Sequence, residues 1–132
     1  MIDEEMKAFL VSIPGVAAEL VADGKERIYP APLPQNATLP AETYTDVSDV
    51  PSYTNANDSC YRQIRMQLDA WSDSRKESVR VDQAVRVAMS GYSGKWGGRE
   101  IGMVRRATSS SHYEPEAQLW RVRSDYLIHV LS

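Results

Sequence analysis

The chain has 132 residues and 42% hydrophobic residues, 25% are charged, and it holds a single cysteine, Cys60. That is the size and balance of one ordinary domain spanning residues 1–132, with enough core to need no disulfide framework or structural metal. Fifteen Lys plus Arg against eighteen Asp plus Glu leave a formal charge of −3, which argues against nucleic-acid binding through bulk electrostatics. The start carries acids where a secretory signal needs a basic region, and no apolar run approaches the roughly 20 residues of a membrane span. The expectation is a soluble protein made in a cytoplasm, with no membrane partner.

Asp3 is a candidate N-cap, and Met6, Phe9, Leu10 and Ile13 follow at the spacing of one helix face until Pro14-Gly15 interrupts it. Val16 to Val21 suits a further helical turn or two, Asp23-Gly24 supplies a turn, and Arg27-Ile28-Tyr29 reads as a short strand. Prolines at 30, 32, 34 and 40 hold the next stretch extended without ladder donors, so it is expected to cross the surface as an ordered connector. Thr43, Thr45 and Val47 alternate with Tyr44, Asp46 and Ser48, predicting a polar strand that ends before Pro51, with a hairpin loop over Pro51 to Ser59.

From Tyr61 to Trp71 the alternation is clearest: Ile64, Met66, Leu68 and Ala70 point one way, and Arg65, Gln67, Asp69 and Trp71 the other. Ser74 and Glu77 have the spacing of a capping box, and Val81, Ala84, Val85, Ala88 and Met89 form the stripe of the longest helix, stopped by Gly91. Gly97-Gly98 predicts a turn into a strand over Arg99 to Thr108, and Ser109-Ser110-Ser111 a polar loop reaching to Gln118. In the last strand, Leu119 to Leu131, Trp120, Val122, Tyr126, Ile128 and Val130 share one face; Arg121, Arg123, Asp125 and His129 share the other. Short connections between these strands predict an α+β fold, a mainly antiparallel sheet with two main helices packed on one face.

The tools of an enzyme are sparse. The sequence has no G-x-G-x-x-G, no phosphate-binding P-loop and no H-E-x-x-H, and its two histidines, His112 and His129, lie away from any cysteine pair. No catalytic, cofactor or metal residue is therefore assigned, and no cofactor is expected. Glu114 and Glu116 flank Pro115 in what reads as surface loop, and only these with His112 would serve an enzyme. More informative are strand faces that combine Trp71, Arg121, Arg123 and Leu127, since mixed aromatic and arginine surfaces are typical of protein interfaces; the bland alternative is a helix of the same chain covering them.

The ordered segments resemble the small tail-completion proteins of long-tailed bacteriophages, also called tail terminators or head-to-tail joining proteins. The resemblance runs over nearly the whole chain: a short N-terminal helix, Arg27-Ile28-Tyr29-Pro30, a proline-rich crossing to Leu39-Pro40, the strand Arg62 to Trp71 leading into the helix from Ser74, and Tyr113-Glu114-Pro115-Glu116 ahead of Leu119-Trp120-Arg121-Val122. Where the family usually has an apolar strand after Leu-Pro, this chain has the polar Glu42, Thr43, Thr45 and Asp46.

The resemblance implies a virion protein without bond chemistry. Its subunits would form a hexameric ring that caps the tail tube, ends its polymerisation and joins it to the head connector, with DNA passing through the lumen unbound. The expected partners are further copies of itself, the tube protein and a connector or neck protein. Subunit contacts are expected from Tyr113, Glu114, Pro115 and Glu116 in the loop, and from Trp120, Arg121 and Arg123 on the last strand, the arginines pairing with acids of a neighbour. The proline-rich crossing is the second candidate surface. Competing readings are a head-completion adaptor or tube subunit, a small enzyme, or a host-binding module.

Overall fold

The computed structural model describes residues 2–53 and 58–131. Two helices open the chain, α1 (Ile2–Ser12) and α2 (Pro14–Leu20), the second starting at Pro14 because a proline at the first helical position sacrifices no internal hydrogen bond. A small ladder, β1 (Val21–Ala22) with β2 (Lys25–Glu26), turns the chain through Asp23 and Gly24, both at positive φ, into β3 (Ile28–Pro30). After the proline-rich crossing come β4 (Ala41–Tyr53), β5 (Asp58–Ser72), α3 (Arg75–Met89), β6 (Gly94–Trp96), β7 (Arg99–Glu114) and β8 (Leu119–Val130). The six-stranded sheet has the order β3-β4-β5-β8-β7-β6, and every pairing in it is antiparallel except β3 with β4. The α+β architecture expected from the periodicities is the one observed, with three helices where two main ones were expected.

The core lies between the helices and one face of the sheet. Met6, Leu10, Val16 and Leu20 from the first two helices, and Val81, Val85 and Met89 from α3, cluster with Ile64, Met66 and Leu68 of β5 and Tyr126, Ile128 and Val130 of β8. A satellite of Phe9, Tyr92 and Trp96, with ring centroids 4.5 to 5.8 Å apart, fastens β6 to α1. The cap of α3 differs from a simple capping box. Ser74 Oγ accepts from the Glu77 amide at 3.4 Å, but the Glu77 carboxylate accepts from Ser72 Oγ at 2.5 Å rather than returning to Ser74. Gly91 ends this helix at φ +77°, a left-handed position that costs glycine nothing.

Two strands outrun their predicted ends. β4 continues through Pro51, because from Thr45 onward it is an edge strand and a proline there withholds an N–H from no neighbour. Residues 54–57 of the expected hairpin loop lie outside the described residues, although Tyr53 and Asp58 on either side are ladder partners. β7 runs to Glu114, so Ser109 to Ser111 is strand rather than loop. These serines pair with Ser124, Arg123 and Val122 of β8, whose ladder overrides their weak β preference. Only four residues, Pro115 to Gln118, then turn the chain into β8, with Gln118 at φ +56°.

Candidate assembly surfaces

The helices leave the second face of the sheet uncovered, and it carries the residues singled out from sequence. Cross-strand register places Asp69 opposite Arg123 and Trp71 opposite Arg121. Arg123 Nε donates to Asp69 Oδ1 at 3.3 Å, Arg65 meets Asp125 at 2.9 Å, and Arg121 reaches Glu114 at 2.6 Å while its guanidinium lies 5.4 Å from the Trp71 ring centroid. Arg121 and Arg123, expected to pair with acids of a neighbour, each meet an acid within the chain itself. The register supplies each with an acid of its own, one directly across the ladder and one on its diagonal.

What lies over this face is the proline-rich crossing. It is pinned at both ends: the Ala31 amide donates to the Tyr44 carbonyl at 3.0 Å, and Arg27 Nη1 donates to the Leu39 carbonyl at 3.0 Å. Between crossing and sheet is a cavity of about 700 Å³ lined by Pro32, Leu33, Leu39, Trp71, Leu119, Arg121 and Arg123, among others. Trp71 Nε1 donates to Thr43 Oγ1 at 2.9 Å, so the indole is held on the sheet with one ring face toward Arg121. Neither a helix nor bare solvent takes this position, an arrangement that the alternation of β5 and β8 alone does not specify.

The second surface is the free end of the β7–β8 hairpin, which extends past the last β5 residue paired to β8, Ser72. Tyr113 and Trp120 face each other there edge to face, with centroids 5.2 Å apart. Glu114 is tied to Arg121, whereas Pro115 and Glu116 are exposed in the turn. All seven residues expected at the interface thus fall in one hairpin: five at its end, and Arg121 and Arg123 behind it on the second face. Of the two glutamates considered for acid–base chemistry, Glu114 is engaged by Arg121 and Glu116 is exposed in the turn. His112 bonds Ser110 at 3.0 Å; it is two residues before Glu114 on β7 and directly across the ladder from Arg121. Among the described residues, no group of three or more His, Cys, Asp or Glu is placed to hold a metal ion.

Two polar features inside the helix-facing side escape sequence reasoning. Asp82 of α3, buried, accepts from Arg106 at 3.0 Å and from Ser124 at 2.7 Å, which ties the helix to β7 and β8. Arg106 also donates to Ser124 Oγ at 3.2 Å, completing this internal tie. Glu42, 1% exposed, has Oε1 unbonded, and burial together with the charges of Asp82 and Asp69 raises its carboxyl well above the ordinary range. The polar start of β4 is accordingly buried, from Ala41 through Tyr44, as the apolar strand it replaces would be.

Comparison with known proteins agrees with this architecture. Residues 4–131 match the family described as Tail completion protein gp17, and the chain belongs to that family. By that family it is a tail-completion protein. Among solved structures, a chain of the virion of a native gene transfer agent particle is similar, with a TM-score of 0.77 and 12% identity over 96% of this chain and 92% of that one. At that identity the likeness is one of fold. No curated protein sequence matches.

Proposed function

We propose that this protein forms a ring on the end of the tail tube, stops further addition of tube subunits and offers the head connector its docking surface. The observation that carries this reading is the family match across residues 4–131, a tail-completion family spanning all three helices and the whole sheet. The geometry supports it by leaving two surfaces of interface composition outside the core, the β7–β8 hairpin end with Tyr113, Glu114, Pro115, Glu116 and Trp120, and the crossing-covered face with Trp71, Arg121 and Arg123.

A ring built from one repeated heterologous contact has two different faces, and a joint between tail and head requires that difference. On the second face Arg65, Arg121 and Arg123 are each matched by an acid, so these cations are poorly placed to grip a passing phosphate chain. The protein acts by position, without a cofactor. The test is to add the purified chain to tubes assembling from the tube protein and to image them. Short tubes with a ring at one end are expected, while long tubes made by this chain alone would identify it as a tube subunit.

A further inference from the structure

We infer that the cavity beneath the proline-rich crossing receives the β7–β8 turn of a neighbouring copy, with Pro115 against its apolar wall and the Glu116 carboxylate on Arg123. This rests on the ring reading above and names the contact between its subunits. The cavity, about 700 Å³, has the size of a pocket that encloses a small ligand or a few side chains, and it is walled by the crossing on one side and by β4, β5 and β8 on the other. Pro32, Leu33, Leu39 and Leu119 line it and none of them is buried, so apolar surface there still faces water and covering it is favourable.

The floor of the cavity has donors to spare and no acceptor to match them. Asp69, the one carboxylate lining it among the described residues, is engaged at both oxygens: Oδ2 accepts from Gln67 Nε2 at 3.1 Å and Oδ1 from Arg123 Nε at 3.3 Å. Arg121 reaches outward to Glu114 and keeps Nε without a partner. The Arg123 side chain is 38% exposed and bonds through Nε alone, so its two Nη groups bond nothing among the described residues. A guanidinium presents five N–H donors in a fixed fork, which a second carboxylate can meet on the groups that Asp69 leaves open. The charges on this face otherwise balance, so it suits one placed carboxylate rather than a polyanion.

The chain does not fill this place itself. Its own turn borders the cavity at Ala117, but neither Pro115 nor Glu116 belongs to the wall. The turn of a second copy carries what is missing. Glu116 is exposed and, unlike Glu114, in no ion pair among the described residues, and the exposed Pro115 beside it supplies an apolar ring. Only four residues, Pro115 to Gln118, separate the two strands, and proline fixes the first φ, so the segment is ordered before it docks and seating it costs little chain entropy. Giving and receiving use different surfaces, the hairpin end and the second face of the sheet. The contact therefore repeats head to tail from copy to copy, the kind that generates a ring.

The test uses Glu116→Lys and Ala37→Trp, the second filling the cavity from the crossing, each in the full-length chain, with assembly on tubes scored by electron microscopy and folding by circular dichroism. Each should lower ring assembly about tenfold or more, whereas Glu116→Asp, which keeps the carboxylate, should retain most of it. Hydroxyl-radical footprinting needs no substitution: Leu33 and Leu39 of the wild-type chain should lose reactivity when the ring forms. Either variant folded and assembling as wild type does, or Leu33 and Leu39 as reactive in the ring as in the free chain, would overturn the docking and leave the ring reading standing. Protection that persists in whatever rings Glu116→Lys forms would overturn it too, by showing that another chain fills the cavity. A wild-type chain that forms no ring on tubes would overturn both.

Discussion

Replacing Glu42 with Gln should remove a pH dependence that the fold imposes on itself. The Glu42 carboxyl is 1% exposed, its Oε1 has no hydrogen-bond partner, and Asp82 and Asp69 add to the effect of burial in raising its pKa well above the ordinary value. In the unfolded chain the same carboxyl ionises near its usual pKa of about 4.3. Above that pH the unfolded state sheds a proton that the folded state retains, so stability falls as pH rises, by about 1.4 kcal/mol per pH unit until the raised folded pKa is reached. Below the unfolded pKa both states hold the proton and the effect disappears. For a domain whose total stability is of order 5–15 kcal/mol, even one or two units of this window are a large share. The amide of Gln is close in shape and has no charge to lose. Urea unfolding at pH 5, 6 and 7 should therefore give a difference between variant and wild type that grows in the variant's favour with pH. Parallel curves for the two proteins would refute the reasoning, because Glu42 would then ionise in the fold as it does outside it.

Other perturbations have distinct signatures. Ser74→Ala removes the acceptor for the Glu77 amide and should cost about 1 kcal/mol, read as a shifted urea midpoint at unchanged slope. Trp96→Ala empties the aromatic cluster with Phe9 and Tyr92 and should cost about 3–5 kcal/mol, with loss of near-ultraviolet circular dichroism. Arg121→Ala loses the ion pair to Glu114 and the stack on Trp71 at a partly solvated site, so thermal unfolding should register no more than about 1 kcal/mol. Tyr113→Ser with Glu116→Lys changes exposed positions at the hairpin end; losing the edge contact with Trp120 should cost about 1 kcal/mol in thermal unfolding, while attachment to tubes in the imaging assay falls much further.

Where one periodicity dominated, the sequence was a sufficient guide. The alternation of Ile64, Met66, Leu68 and Ala70, the stripe from Val81 to Met89 and the stop at Gly91 each reflect one buried face and one exposed face, and all three appear as read. The errors fall where tertiary partners decide. Pro51 and the triple serine are turn residues by composition, yet both lie in strands because one neighbour suffices to hold an edge. Glu42 and Thr43 look like surface and are buried, since β3, β5 and the core claim that end of β4 whatever its polarity.

The candidate site was legible in part for the same reason. Tyr113 to Arg123 were read as one region, and the hairpin brings them together. The acids that hold Arg121 and Arg123 depend on ladder register, which a single strand's pattern does not contain. Likewise, no local signal announces that Pro32 to Leu39 bridge the second face above Trp71, because prolines specify an extended path but not the surface it crosses.

The central claim, that this chain terminates tails and joins them to heads, is tested most directly in a phage lacking the gene, imaged by electron microscopy with and without the protein supplied from a plasmid. Overlong or ragged tails beside filled, unjoined heads, restored to uniform joined particles by the plasmid, are the predicted result. Normal tails attached to heads in its absence would contradict the account.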